Sequence, residues 1–393
     1  MNQVKMKYLL LYSTILFTFL SYSQGVNIGL NAQVDYQQLH NTNLNDIWGY
    51  EDQAGNEYAI VGAQKGVSIV DVTDPSNPNE VYWHPASEGV WRDLKEFNGY
   101  AYITTEEVEG LLIIDMNPLP NDPIVSTNNY YGPTGDQWST AHNLWIDENG
   151  FAYIFGSNRG NGGVIILDLN TDPMNPTEVG TFDDWYVHDG FVRGDTMYLA
   201  HIYEGFFSVV DVSDKSNPVL LGTQVTPSSF AHNIWPTDDG KHVFTTDEVT
   251  NAYLGTYNVE DPSNISLTDR IQSSPGDGGV PHNAHVYGDF LVTSYYADGV
   301  VIHDISDPEN MVEVASYDTY PGTSTSTEGC WGAYPYLSSG TLLVTDIENG
   351  LFVLDANYQY AAKLEGTVTD ELTGDQLQGV EVEIVGHDQI EIT

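Results

Sequence analysis

After residue 24 the chain alternates short apolar runs with clusters of Gly, Pro, Asn and Asp. The runs are rich in β-branched and aromatic residues, as in Phe151-Ala-Tyr-Ile-Phe155 and Gly163-Val-Ile-Ile-Leu-Asp168. That bias favours strands, and the Pro and Asn clusters punctuate them. No stretch shows sustained 3.6-residue periodicity with helix caps, so the pattern predicts an all-β fold.

A glycine, an apolar run and an acid recur along the chain. The copies are Gly66–Asp71, Gly110–Asp115, Gly163–Asp168, Gly205–Asp211, Gly299–Asp304 and Gly350–Asp355. A weaker copy has Ala252 for the glycine and Asn258 for the acid, followed by the turn Glu260-Asp-Pro-Ser-Asn264. Seven copies with a mean period of about 47 residues suit seven units of four short strands, the plan of a β-propeller. In each unit a first strand, a Gly-containing turn and a second strand precede the repeat run. A turn such as Asp172-Pro-Met-Asn-Pro176 leads to the fourth. The repeat acid, ending a strand, is expected to accept backbone N–H bonds from the turn that follows.

The seventh unit starts near Trp331 and lacks a fourth strand, whereas Val26–Tyr36 is a spare strand ahead of the first unit near Asn45. The two are expected to pair and close the ring, removing the open edge. The propeller then spans residues 24–360, preceded by a signal segment at 1–23. The signal rests on Lys5 and Lys7, an apolar run from Tyr8 to Leu20 and small residues before Gln24. It implies export, and no second apolar stretch offers a membrane span.

Charge narrows the function classes. The 56 acidic residues against 11 Lys and Arg give a formal charge of −45, which repels nucleic acid and anionic membranes. The 41% hydrophobic content is enough for a core. One cysteine, Cys330 beside Trp331, excludes an intramolecular disulfide framework and reads as a small buried hydrophobe.

The runs Val67-Ser-Ile-Val-Asp71-Val and Ser208-Val-Val-Asp211-Val, each followed by an Asp-Pro or Asp-Lys turn ending in Asn-Pro, resemble the LVIVD repeat. Residues 25–360 resemble the choice-of-anchor B group of exported propellers. That resemblance implies a C-terminal anchoring or sorting segment and carries no general activity. Residues 361–393 contain Gly366-Thr-Val-Thr-Asp370, Thr373-Gly374 and an alternating run from Gly379 to Val385. They resemble the opening of a carboxypeptidase-regulatory-like β-sandwich, of which this is only the first part.

A second register points to a site. The first strands align Asn45, Arg92, His142, His188, His232, His282 and Trp331 at intervals of 44 to 50 residues. The next position holds Asp46, Asp93, Asn143, Asp189, Asn233, Asn283 and Gly332. With first strands innermost, both sets line one mouth of the central channel. Neutral imidazoles there suit a divalent transition metal, with His142, His188, His232 and His282 as ligands. The alternative is structural: seven-fold geometry spreads equivalent atoms apart, and His-Asn or His-Asp pairs can satisfy loops between blades. Asp46, Arg92, Asp93, Asn143, Asp189, Asn233, Asn283 and His285 are the other expected ligand-binding residues of the mouth. Arg92 is expected to pair with Asp93 or Asp46. Glu106-Glu107, Asp247-Glu248 and Asp346 read as exposed acids, and His84, His201, His242 and His303 fall outside the register.

No nucleophile elbow, Walker loop or His-Glu-x-x-His is present. The leading expectation is a secreted or cell-surface binding propeller without catalysis, monomeric, recognising a protein or glycan. The runner-up is a metal-dependent oxidoreductase or hydrolase using the histidine ring. A third reading is an adhesion or matrix spacer.

Overall fold

A computed structural model describes residues 25–274, 276, 278–321, 327–363, 366–383 and 390–392. The expected signal segment and its cleavage point lie outside the described residues.

Seven antiparallel sheets succeed one another along the chain. Blade 1 runs Leu44–Glu51, Glu57–Ala63, Gly66–Asp71, Asn79–Pro85. Blades 2 to 5 repeat this four-strand meander and begin at Arg92–Phe97, Asn143–Ile146, Gly190–Arg193 and Ala231–Pro236. Blade 6 begins at Ala284–Tyr287 and blade 7 at Cys330–Tyr334. First strands of neighbouring blades pack on one another around the channel. The second and third strands are almost wholly buried, as in Glu57–Ala63, whereas fourth strands such as Val219–Val225 are largely exposed. Six larger apolar clusters fill the spaces between sheets, and Cys330 lies fully buried in one of them.

The repeat acid does what its position suggests. The side chains of Asp71, Asp115, Asp168, Asp211, Asn258 and Asp304 each accept the backbone N–H two residues on, at 2.8–3.1 Å. Asn258 replaces the acid without loss because an amide oxygen accepts the same bond.

The repeat glycine has a different cause. A Cβ on Gly66, Gly163, Gly299 or Gly350 would stand 2.0–2.3 Å from a carbonyl oxygen of the strand outside it. At Gly350 the neighbour is Val34 O, and φ is +95°. Gly350→Ala is therefore expected to cost on the order of 2–4 kcal/mol, read from chemical denaturation. An unchanged midpoint would show that the closing strand yields freely.

Ring closure follows the expected pairing. Ile28–Val34 lies antiparallel on Gly350–Ala356 as the outer strand of blade 7, with Ile28 opposite Ala356 and Val34 opposite Leu351. The segment does more than that. Asn27, at φ +56°, turns the chain so that Gly25–Val26 adds a fifth strand to blade 6. The strand also ends earlier than expected. Asp35 caps a one-turn helix, Tyr36–His40, that buries Tyr36 in the core between blades 7 and 1. Beyond it, His40 stacks on Trp83 at 3.7 Å and reaches Glu80 at 2.8 Å.

After blade 7 the chain runs over blade 6. Tyr358 contacts Phe290, Tyr360 donates to Asp289 at 2.8 Å, and the Ala361 N–H bonds Asp304 at 2.7 Å. Residues 366–383 are mostly exposed, with one bridge between Thr369 and Gln376, and Glu381–Glu383 pairs with Ile390–Ile392.

Candidate functional site

Each blade's first strand delivers its leading residues to one end of the channel. In blades 3, 4 and 6 the histidine ahead of that strand is pinned identically. The backbone N–H of His142, His188 and His282 donates to the end of the second strand, at Phe155, Ala200 and Ser294, over 2.9–3.0 Å. The four register histidines do converge. Ring centroids are 3.9 Å apart for His142–His188, 4.3 Å for His188–His232 and 4.5 Å for His232–His282. The arc ends on Tyr296 and Trp331, at 4.8 and 4.9 Å from His282. Neighbouring rings touch, yet the seven-fold spreading of equivalent atoms persists: among the described residues no set of donor atoms gathers all four histidines.

The wall holds one nitrogen of most rings. His142 Nδ1 meets Glu106 at 2.8 Å, His188 Nδ1 meets Asp189 at 3.1 Å, and His282 Nδ1 meets the Trp331 carbonyl at 2.6 Å. Nε2 of these three rings has no hydrogen bond among the described residues. His232 is buried with Nδ1 unpartnered, 3.8 Å from Asp189, while its Nε2 stands 3.7 Å from Glu248. Glu248 in turn accepts from the Tyr296 hydroxyl at 2.5 Å.

Charge is set by burial and by the acids nearby. Burial, then the neighbouring imidazoles, pushes His188 below its usual range and His232 well below it. Burial drives His282 down to about 4. Burial also opposes charge on His142, but the Glu106 hydrogen bond and the charges of Asp189, Glu106 and Asp93 outweigh it and raise the pKa. Three rings are thus neutral near pH 7, the form that binds metal.

One residue deeper, Asp189 is the hub. It is buried and accepts from Asn143 at 2.6 Å and from Asn233 at 3.0 Å. Burial works against its charge, yet the histidines around it prevail and its pKa is lowered. Asn283 lines the same cavity, with its side-chain oxygen unpartnered. On the opposite wall Asp93 pairs with Lys95, and Asp46 is held well above the carboxylate range by burial and then by Asp93. Blade 7 has glycine here because a Cβ on Gly332 would lie 2.0 Å from Asp46 Oδ1.

Some expectations need correction. Arg92 does not pair with Asp93 or Asp46. Its guanidinium turns outward to the Ala63 and Ser87 carbonyls and to Glu109 at 3.5 Å, while Lys95, three residues on, takes Asp93. Asn45 likewise turns away, donating to the Val90 carbonyl. His285 does not join the histidine arc. It lies one layer down the channel, lining a second small cavity with Asp46, Asp93, Asn143, Asp189, Asn233 and Asn283, and stacks on Trp235 at 4.6 Å. The acids closing second strands are exposed only in part. Asp247 and Asp346 are fully buried and Glu248 is part-buried, whereas Glu106 is exposed as expected but reaches His142, so Glu106 and Glu248 both belong to the histidine arc. Glu106 and Glu248 follow directly on the second strands of blades 2 and 5, one equivalent position, and that register is the signal that could have found them. His201 and His303 are buried inside blades, away from the mouth.

The cavity between His142, His232, His282, Asp46, Asp93 and Asp189 measures only about 20 Å³, too small for an organic ligand. The far end of the channel is wider. There Trp48, Trp145, Trp235, Tyr334 and Tyr336 line a cavity of about 410 Å³ rimmed by Glu148, Arg193 and Asp238.

Four stretches, residues 53–83, 140–184, 187–226 and 278–319, match the LVIVD repeat. They fall on blades 1, 3, 4 and 6. Among solved structures, the chain is similar to the β-propeller domain of Cps50 (Swd1) from Myceliophteria thermophila. The TM-score is 0.58, with 8% identity over 84% of this chain and 100% of that one. At that identity the likeness concerns the fold alone. No curated protein matches. The chain is a seven-bladed β-propeller carrying LVIVD repeats.

Proposed function

We propose that this chain is an exported binding propeller and that its histidine-lined mouth holds a divalent transition-metal ion. One observation carries the reading: four consecutive imidazoles stand in a touching arc, and three of them, His142, His232 and His282, line a small polar cavity with Asp46, Asp93 and Asp189. Three of them are oriented by wall groups on Nδ1, the outer contacts that fix ligating histidines elsewhere. The organic partner, a protein or glycan, is assigned to the wider aromatic mouth, whose volume suits a small ligand or an inserted side chain. Export rests on the leader-like start of the sequence, and the C-terminal residues are read as the start of a regulatory-like sandwich that precedes an anchoring segment.

Elemental mass spectrometry of the purified chain tests the metal. Bound Zn, Cu or Fe is expected after equilibration and dialysis. It is expected to be lost when His142, His188, His232 and His282 are all changed to Ala while circular dichroism stays all-β. Absence of metal from the native protein would retire the reading. A second reading, a metal-dependent oxidoreductase or hydrolase, is favoured by the Tyr296 hydroxyl on Glu248, a proton-bearing group whose ring centroid lies 4.8 Å from that of His282.

A further inference from the structure

The four histidines and their acids do not form one ring of equivalent donors. They divide. His142, His188 and Asp189 bring one donor atom each within 4.8 Å of one another, and His232, His282 and Glu248 do the same. Each group has two imidazoles and one carboxylate, a donor set suited to Zn or Fe that leaves coordination positions open. We infer that the mouth binds two metal ions side by side, one in each group, with Asp189 between them. The inference rests on the metal reading above and specifies its site.

Three observations support the division. Two ligands about 2.1 Å from one ion, at angles between 90° and 120°, stand roughly 3–3.6 Å apart. His232 Nε2 to Glu248 Oε2 is 3.7 Å, near that spacing, while in the other group Nδ1 of His142 and of His188 is taken by a carboxylate and Nε2 is the nitrogen left for an ion. Next, Asp189 is oriented for two neighbours. Oδ1 faces His188 and accepts from Asn143, while Oδ2 faces His232 at 3.8 Å and accepts from Asn233. A carboxylate whose two oxygens are presented to adjoining ligand groups is the geometry of a bridge between two ions. The last is the unpartnered Nδ1 of buried His232, which points to Asp189. A buried ring nitrogen without a partner is costly, and once Nε2 binds an ion the Nδ1–H of this ring can close on Asp189.

Charge agrees with this count. Asp189 is buried with no Lys or Arg on it, and Glu106 and Glu248 add two more carboxylates along the same arc. Lys95 is occupied by Asp93 and Arg92 by Glu109. Two divalent ions would balance such a set better than one.

The test titrates metal-free full chain with Zn²⁺ and, separately, Cu²⁺, reading stoichiometry by calorimetry and elemental analysis. Two equivalents are expected, with one remaining in His142→Ala/His188→Ala and one in His232→Ala/His282→Ala. If either pair variant fails to fold, the native protein loaded with Cu²⁺ decides by paramagnetic resonance. Two ions a few ångströms apart give a coupled spectrum with a half-field line. One equivalent and an uncoupled spectrum would overturn the two-ion inference and leave the single-ion reading intact. No binding at all would overturn both.

Discussion

A chain that starts at residue 41 is expected to lose its cooperative unfolding transition. The missing segment serves two blades at once. Ile28–Val34 supplies the outer strand of blade 7, and Gly25–Val26 extends blade 6. Without them the third strand of blade 7 becomes an open edge at the one place where the ring is not covalently continuous. Tyr36, fully buried against Leu44, Ile47 and Leu351, is removed as well. Together these losses are expected to exceed about 5 kcal/mol, a large part of the net stability of an ordinary domain. Tyr36→Ala isolates one component and is expected to cost about 3–5 kcal/mol by truncating a large buried aromatic. Urea denaturation followed by tryptophan fluorescence reads both. An unchanged midpoint in the truncated chain would show that the ring is held shut elsewhere.

The second large effect is a loss of stability on mild acidification. His201 is held at about 4, His285 at about 3 and His303 at about 4, in each case chiefly by burial. All three lie outside the proposed metal ligands. A histidine buried in its neutral form binds protons more readily when unfolded, near pH 6.5, than when folded. Stability from these groups is therefore complete above pH 6.5 and falls as pH drops toward the folded values. By pH 5 each contributes a loss of about 2 kcal/mol. The buried acids Asp46, Asp247 and Asp346 have raised pKa values and act in the opposite sense, so the native slope is the difference between the two sets and a single-histidine variant isolates the histidine share. His303 offers the cleanest check, because neither of its ring nitrogens has a hydrogen-bond partner among the described residues. His303→Leu is expected to raise stability at pH 7 by about 1 kcal/mol or more and to reduce the pH slope by about one proton. A slope unchanged in the variant from pH 7 to 5 would contradict the argument.

The architecture was legible in the chain because a propeller repeats its constraints. Six of the seven blades place a glycine where the outer strand crosses closely, blade 5 having Ala252, and blades 1 to 6 place a side-chain acceptor where the third strand turns. Those features recur at fixed spacing from Gly66 to Gly350. The missing fourth strand of blade 7 pointed to the N-terminus for the same reason: strands must be paired, and only one spare was present. The histidine register was legible too, since residues at one position of every first strand must share one level of the channel.

What the register did not contain was side-chain direction. Arg92 occupies the histidine position yet leaves the channel, because carbonyls between blades 1 and 2 accept its guanidinium. His285 lies three residues beyond His282, inside the strand that His282 precedes, and there it stacks on Trp235 one layer down the channel. Glu106 and Glu248 reach the site from second strands, and Tyr296 from the loop beyond one, so no reading along first strands alone would gather them. Strand pairing, turn chemistry and the level of each residue along the channel are local or periodic quantities, and the sequence by itself determined them. Only the tertiary structure decided which side chains meet across the channel, since that depends on the acceptors and partners brought from other blades.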